Sequence, residues 1–338
     1  MKANEALKAV LGGAQLERTQ IQAVFDSLFA GEQDPVALGG LLVALAGRGE
    51  TREELIGAVQ SMRGAMVPFE HDAPDAIDTC GTGGSGLDTF NVSTCSAIVA
   101  AAAGARVIKH GNRSASSKCG SADLLEHLGL PLELSPEQAR VVFEEAGLTF
   151  LFAPVYHPAM RHAGPVRRSL GVRTVFNLLG PLCNPGGVKH QVVGVFDPER
   201  LSDVTFVLEE LGAKRALVVH GSEGADELTL QGENQVRTVG CADSGSWNAA
   251  DLGLQSQPIA SCSGGDATAN ASLLHSVLSG ELSSARELVL LNAAAALVVS
   301  EQAATSTEGL FLAREAIDGG AAARKLAQWI RVAQGVAR

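Results

Sequence analysis

Basic charge is scarce in this chain. Its 26 lysines and arginines stand against 37 aspartates and glutamates, a formal net charge of -11. A general nucleic-acid binder needs a basic stripe, so that class is excluded. Paired cysteines are missing too. The six cysteines (80, 95, 119, 183, 241 and 262) form no CxxC spacing, which excludes zinc and thioredoxin-like chemistry and reads as reduced thiols in a cytoplasmic protein. The opening MKANEALKAV lacks an apolar core with a small-residue cleavage site, so no secretory leader is expected. The longest apolar run, Leu288 to Val299, is broken by Asn292 and falls short of the about 20 residues that cross a bilayer. There is no GxxxxGK[ST], GTGGSG is not GxGxxG, and no acidic ribose partner follows a second strand. No Ser-His-Asp or Cys-His set is evident, nor any internal repeat or low-complexity block. A 46% hydrophobic chain of 338 residues without these features reads as globular, with room for two domains.

The chain is organised around Asp78 to Asp123. A short β-like run, Ala76–Cys80, feeds the loop Gly81-Thr82-Gly83-Gly84-Ser85-Gly86, with four glycines in six residues. Glycine lets the backbone approach a ligand and turn its N–H groups toward it. Asn91, Ser93 and Thr94 then open an Ala-rich helical segment to Ala103. Its first turn would offer free N–H groups and partial positive charge, which suit a phosphate. A second loop, Lys109 to Lys118, concentrates Lys109, Arg113 and Lys118 with Ser114, Ser116 and Ser117. Glycines, hydroxyls and cations together suit a diphosphate. Either loop alone would read as a flexible turn. Two of them on one β-α-β unit, the second basic in an acidic chain, favour a ligand site.

The first seventy residues read as helices. Ile21, Val24, Phe25, Leu28 and Phe29 recur at helical spacing. Asp34-Pro35 looks like a cap with proline at the first helical position, and Thr51 to Glu54 like a capping box. After a linker at Pro68–Pro74, β-like runs at Ala76–Cys80, Arg106–Lys109, Thr149–Ala153, Gln191–Phe196 and Ala216–His220 alternate with helices, among them Ser135 to Gly147 and Asp197 to Gly212. That alternation predicts a mainly parallel sheet covered on both faces. The loops at 81–86, 109–118 and 220–227 all follow strands and should meet on one rim. Leu228–Leu230 and Gln235–Val239 look like a hairpin, and Ala285 to Ala337 returns to helix. The expected division is a small helical domain over 1–70, joined by helices from about 165–185, and an α/β domain over 75–338.

Two further clusters carry chemistry. Asp226 and Glu227 follow the strand-like ALVVHG. Such a pair is either a solvated acidic turn or a magnesium site, since magnesium takes one or two carboxylates plus substrate phosphates. Arg167, Arg168 and Arg173 lie within nine residues. A guanidinium can bond both oxygens of a planar carboxylate, although at least one of the three belongs on a solvated helix face.

GTGG…TFNVST, KHGNRS, KCGSAD, HPAM, VRRSLGVRTVFNLLGPLCNP and GADE together resemble the anthranilate phosphoribosyltransferases of tryptophan biosynthesis. The resemblance runs from about Leu16 to Ile330. It implies an α/β fold of the nucleoside-phosphorylase/phosphoribosyltransferase type, a homodimer, Mg2+ as cofactor, and anthranilate and 5-phosphoribosyl 1-diphosphate as substrates, with no nucleic-acid or membrane partner. The donor would be held by Gly81, Gly84, Ser85, Thr89, Asn91, Val92, Ser93, Thr94, Lys109, His110, Gly111, Asn112, Arg113, Ser114, Ala115, Ser116, Ser117 and Ser121. Lys109 and Arg113 would stabilise the leaving diphosphate. Gly81, Asn112, Arg167 and His110 would line the anthranilate pocket, with Arg167 on its carboxylate and Tyr156 to Met160 as a further wall. Asp226 and Glu227 would bind magnesium, Ser93 a second ion. No general base is implied, because the aromatic amine is already nucleophilic.

Two departures stand out. The family usually has Asp where this chain has Ser85, which puts metal stoichiometry in question. Leu16-Glu17-Arg18-Thr19 replaces the usual LT-x-x-EA opening. Pyrimidine nucleoside phosphorylases share the fold type, but KHGNRS and FNLLGPL argue against them.

Overall fold

The computed structural model describes residues 1–114, 118–241 and 245–338. Four helices come first: α1 (Ala3–Leu11), α2 (Arg18–Phe29), α3 (Pro35–Arg48) and α4 (Arg52–Gly64). Their starts follow local chemistry. Asp34 accepts from the Ala37 N–H at 2.8 Å, and Thr51 and Glu54 cap each other's backbone N–H groups.

Strands and helices then alternate: β1 (Ile77–Thr79), α5 (Val92–Ala102), β2 (Val107–Gly111), α6 (Ser121–His127), α7 (Pro136–Ala146), β3 (Leu148–Phe152), α8 (Ala153–Tyr156), α9 (Gly164–Leu170), α10 (Phe176–Leu182), β4 (His190–Gly194), α11 (Leu201–Glu210), β5 (Arg215–His220) and β6 (Gln235–Val239). The chain closes with α12 (Ala267–Leu278), α13 (Ser284–Val299), α14 (Ser306–Asp318) and α15 (Ala321–Val336).

The six strands lie in the order β3-β2-β1-β4-β5-β6. The first five are parallel, and β6 runs antiparallel to β5. Both faces are covered. Val192, Leu217 and Val219 point into a core shared with α5, α7, α13 and α15. Val193, Ala216 and Val218 point into the opposite core, shared with α2, α3, α4, α10 and α11. This period of two is what a parallel strand buried on both sides requires. The second core also takes in Ala163, Val166, Phe176 and Leu179, so α9 and α10 pack with the N-terminal helices.

Two details differ from the sequence reading. Leu228–Leu230 is not a strand. Asn292 on α13 accepts from the Leu228 N–H at 3.1 Å and donates to its carbonyl at 2.9 Å, and Asn234 takes the Thr229 N–H at 2.8 Å. Side-chain amides therefore occupy the backbone groups a partner strand would need, and β6 pairs with β5 instead. The polar break in the apolar run, Asn292, is thus a buried clamp on the segment after Asp226 and Glu227. Second, Lys109, His110 and Gly111 belong to β2, so the second loop starts at Asn112.

The strand order reverses direction between β1 and β4. The crevice outside the carboxyl ends of strands at such a point is where ligands bind in open α/β sheets, and the first glycine-rich loop leaves β1 there.

Candidate active site

The first loop extends the sheet before it turns away. Cys80 N–H donates to Val192 at 3.1 Å, and Thr82 N–H to Gly194 at 2.8 Å. Gly83 N–H donates to the Asp226 carboxylate at 2.8 Å. Gly81 and Gly194 are glycines because Asp226 lies against both. A Cβ on Gly194 would sit 1.6 Å from the Asp226 carbonyl oxygen, and one on Gly81 2.4 Å from its carboxylate. Gly83, Gly84 and Gly86 take φ values of 66°, 79° and 76°, a backbone glycine adopts cheaply. Arg173 crosses from the α9–α10 connection, donates to the Gly84 carbonyl and covers the Phe196 ring at 4.0 Å. The loops after β1 and β5 therefore meet, as their positions after strands led us to expect.

Behind the loop, α5 points its first turn at the same rim. The Asn91 side-chain oxygen and the Thr94 hydroxyl are cut off from solvent with no partner among the described residues. Buried polar atoms without partners are rare in folded proteins, and here two face the end of a helix that offers N–H groups. Lys109 lies alongside, 2% exposed. Its ammonium donates to the Thr79 carbonyl at 2.5 Å and to the Ser93 hydroxyl at 3.2 Å. Burial lowers the Lys109 pKa, and Asp78 offsets this. Asp78 is fully buried in β1, and burial pushes its carboxyl up to about 6 despite Lys109. It accepts from the His110 N–H at 3.2 Å and from the Asn184 amide at 2.8 Å. Neither Asp78 nor Asn184 was singled out from the sequence. Each looks like an ordinary strand or turn residue until the fold brings them together beneath Lys109.

Asp226 and Glu227 stand opposite. Withdrawal from water raises both carboxyls, Glu227 up to about 8, with the Asp226 charge adding to the shift. The Gly83 N–H, the Ser85 hydroxyl and Arg173 work against it at Asp226, and the Thr89 hydroxyl does so at Glu227. Oε1 of Glu227 is cut off from solvent with no partner among the described residues. A desolvated acidic pair with an orphaned oxygen is a fitting seat for a divalent cation. Among the described residues no three His, Cys, Asp or Glu side chains converge to cage one. An ion here would complete its shell with phosphate oxygens and water, as magnesium commonly does.

His110 turns its Nδ1 toward the Gly180 carbonyl of α10 at 3.3 Å, and its ring lies 5.0 Å from that of His157. Burial holds both imidazoles neutral, His110 down to about 3 and His157 down to about 4. The His110 Nε2, both His157 nitrogens and the Tyr156 hydroxyl are buried without partners among the described residues. Arg167 stacks over Phe176 of the same α10 at 5.0 Å. Burial lowers its pKa, and no carboxylate among the described residues pairs with it. This is a half-buried cation awaiting an anion, bordered by rings and neutral imidazoles. Arg168 is exposed, which fits a solvated helix face.

The histidines give acid sensitivity a definite sign. Their folded pKa values lie below the ordinary 6.5, so the unfolded chain binds more protons and their share of stability, complete above about 6.5, is lost as pH falls through the folded values. The raised carboxyls of Asp78 and Glu227 act in the opposite sense over this range, so the His157 share is read as a difference: the calorimetric Tm of His157→Phe should gain on that of the parent as pH falls from 6.5 to 4. A variant slope equal to that of the parent would show that His157 does not titrate as described.

The second loop differs most from expectation. The Asn112 side chain accepts from the Arg113 N–H at 2.7 Å. Arg113, expected to face the diphosphate, instead forms a two-pronged pair with Glu126 at 2.7 and 2.8 Å and reaches Asp123 at 3.1 Å. Two carboxylates already balance its charge. Asp123 also accepts from the Ser114 and Gly120 N–H groups at 3.0 and 2.8 Å, and the Ser121 hydroxyl reaches the Asn112 carbonyl at 3.4 Å. Lys118 pairs with Asp88 at 2.5 Å, joining the two loops. Ala115, Ser116 and Ser117 lie outside the described residues.

Residues 4–66 match the helical bundle domain of a glycosyl transferase family, and residues 73–323 match the a/b domain of such a family. A protein of Afipia carboxidovorans named anthranilate phosphoribosyltransferase is 48% identical over 97% of this chain and 98% of its own length. The crystal structure of anthranilate phosphoribosyltransferase from Thermus thermophilus superposes with a TM-score of 0.91 at 45% identity, covering 97% of this chain and 99% of that one. The Saccharomyces cerevisiae anthranilate phosphoribosyltransferase in complex with PRPP and Mg superposes with a TM-score of 0.87 at 25% identity, over 98% of each chain.

Proposed function

The chain belongs to the anthranilate phosphoribosyltransferase family, and on that premise we propose how its residues divide the reaction. It transfers the phosphoribosyl group of 5-phosphoribosyl 1-diphosphate to the amine of anthranilate, releasing diphosphate, in tryptophan biosynthesis. The observation that carries the site assignment is the meeting of the glycine-rich loop, the buried Lys109 ammonium and the Asp226–Glu227 pair on one rim.

In this reading the amides of residues 81–86, the first turn of α5 and the orphaned Asn91 and Thr94 oxygens hold the phosphates and ribose of the donor. Asn112 and Ser121 border the same pocket. Asp226 and Glu227 would hold one magnesium ion and Ser93 would contribute to a second; when bound, the metal supplies charge neutralisation at the diphosphate. Lys109 faces the leaving oxygens from beneath and stabilises charge as the C1–O bond breaks. Arg167 takes the carboxylate of anthranilate in a two-pronged bond. Gly81, Asn112 and the neutral His110 and His157 edge the aromatic ring, so the amine approaches C1 without a protein base. Positioning of this kind contributes roughly 7–11 kcal/mol when well oriented. The helical part over residues 1–70 and α9–α10 form one unit and the rest of the chain another. A homodimer in the cytoplasm completes the proposal.

The fluorescence of anthranilate should decay only when the phosphoribosyl donor and magnesium are both present. Arg167→Ala should raise the anthranilate KM by about 10–100-fold, the worth of a charged hydrogen bond, and leave the donor KM within about twofold. An unchanged signal with both substrates present would reject the reaction. Equal rises in both KM values would reject the role of Arg167.

A further inference from the structure

The exit of the first loop is held by a segment far away in sequence. Gly264 N–H donates to the Asp88 carbonyl at 2.7 Å, and Phe90 N–H to Cys262 at 3.1 Å. Thr89 and Ser263 form an antiparallel bridge between these bonds. One residue on, Asn91 N–H donates to the side-chain oxygen of Asn270 at 3.0 Å. Asn270 sits in the first turn of α12, 1% exposed. Its own amide is fastened to the Gly265 and Asp266 carbonyls at 2.9 and 3.0 Å, which fixes its oxygen toward Asn91. The Asn91 amide then donates to the Cys119 carbonyl at 3.1 Å, at the end of the second loop. A continuous line of bonds thus runs from α12 through Asn91 to both loops. Asn91 is also a residue whose side-chain oxygen is buried without a partner among the described residues, at the start of α5, where the proposed function places the donor.

We propose that Asn270 is a positioning residue for the donor site, setting through Asn91 the attitude of the first turn of α5 and of the second loop toward the phosphates. This rests on the phosphoribosyl-transfer reading above. A buried amide with all its bonds satisfied contributes to stability in any protein. The present arrangement differs because its single acceptor bond ends on the backbone of a residue that lines the pocket. Gly264 belongs to the same device. A Cβ there would lie 2.8 Å from the Phe90 Cα and 2.9 Å from the Asn270 oxygen, so Gly264→Ala pushes the strap away from the loop without touching the pocket.

The test is steady-state kinetics of Asn270→Ala and Gly264→Ala with each substrate varied in turn, alongside calorimetry. Loss of one such bond should raise the donor KM about tenfold, leave the anthranilate KM within about twofold, and do so at temperatures where both variants are fully folded. A purely structural role would lower Tm and move neither KM. That result, or a parallel rise of both KM values, overturns the proposal. Should neither variant fold, hydrogen exchange on the parent protein still decides. Residues 260–272 should gain protection together with 81–95 when donor and magnesium are added, and no gain in 260–272 overturns the proposal. A parent protein that leaves anthranilate fluorescence unchanged counts against the reaction itself. A fully active parent with unaltered variants counts against Asn270 alone.

Discussion

Lys109→Met should lower kcat by about 10²–10³-fold, the range seen when a preorganised charge-stabilising donor is removed, while the protein still folds. Lys109 is the cation that β2 carries into the rim with its stem buried. Methionine keeps that apolar stem and removes only the ammonium. Two groups lose a partner, the Thr79 carbonyl and the Ser93 hydroxyl. Removing one member of a buried ion pair ordinarily costs several kcal/mol, because it leaves a bare charge. Here burial has already raised Asp78 to about 6 even with Lys109 present. Without the ammonium it can take up a proton near neutrality and escape most of that cost. Rapid-quench measurement of the bond-breaking step, with Tm as a control for folding, checks this. A kcat within tenfold of the parent would show that the leaving diphosphate does not depend on Lys109.

Asp226→Asn combined with Glu227→Gln should abolish magnesium-dependent turnover, by about 10³-fold or more, since charge neutralisation by a metal at a phosphoryl oxygen contributes several kcal/mol. The same double substitution should stabilise the metal-free protein at pH 8. Glu227 has a raised folded pKa of about 8 against an ordinary value of 4.5. A raised group gives stability that is complete below 4.5 and lost as pH rises through 8. The neutral amides remove that loss, so variant and parent should have similar Tm near pH 4.5 and diverge in favour of the variant by pH 8. Stability given up for function is the usual signature of a binding site. Calorimetry across pH, with isothermal titration of magnesium, tests both halves. A parent whose Tm does not fall between pH 6.5 and 8 would show that the pair is not strained.

Much of the fold was legible because its signals are local. The caps at Asp34, Thr51 and Ser135, the helical spacing of apolar residues, and glycine where the chain must turn all act within a few residues. The strand rule then placed the loops after β1, β2 and β5 on one rim before any contact was known. What failed was non-local. Leu228–Leu230 has the composition of a strand, but Asn234 and Asn292 take its backbone bonds, and one of them is 64 residues away. Arg113 sits in a basic motif, and its pairing with Asp123 and Glu126 on α6 was not visible in that motif. Asp78, Asn184 and Asn270 carry no motif of their own, and their importance comes from what the fold sets beside them.

By itself the order of residues determined a two-sided parallel sheet, helices at its start and end, a glycine-rich loop leaving β1, and the chemistry available on the rim. Local propensity and periodicity suffice for those. Tertiary structure alone decided which cation faces the pocket, which carboxyls are starved of water, and which distant amide steadies α5. Such outcomes depend on desolvation and on contacts between remote segments, and neither quantity exists until the chain has closed around them.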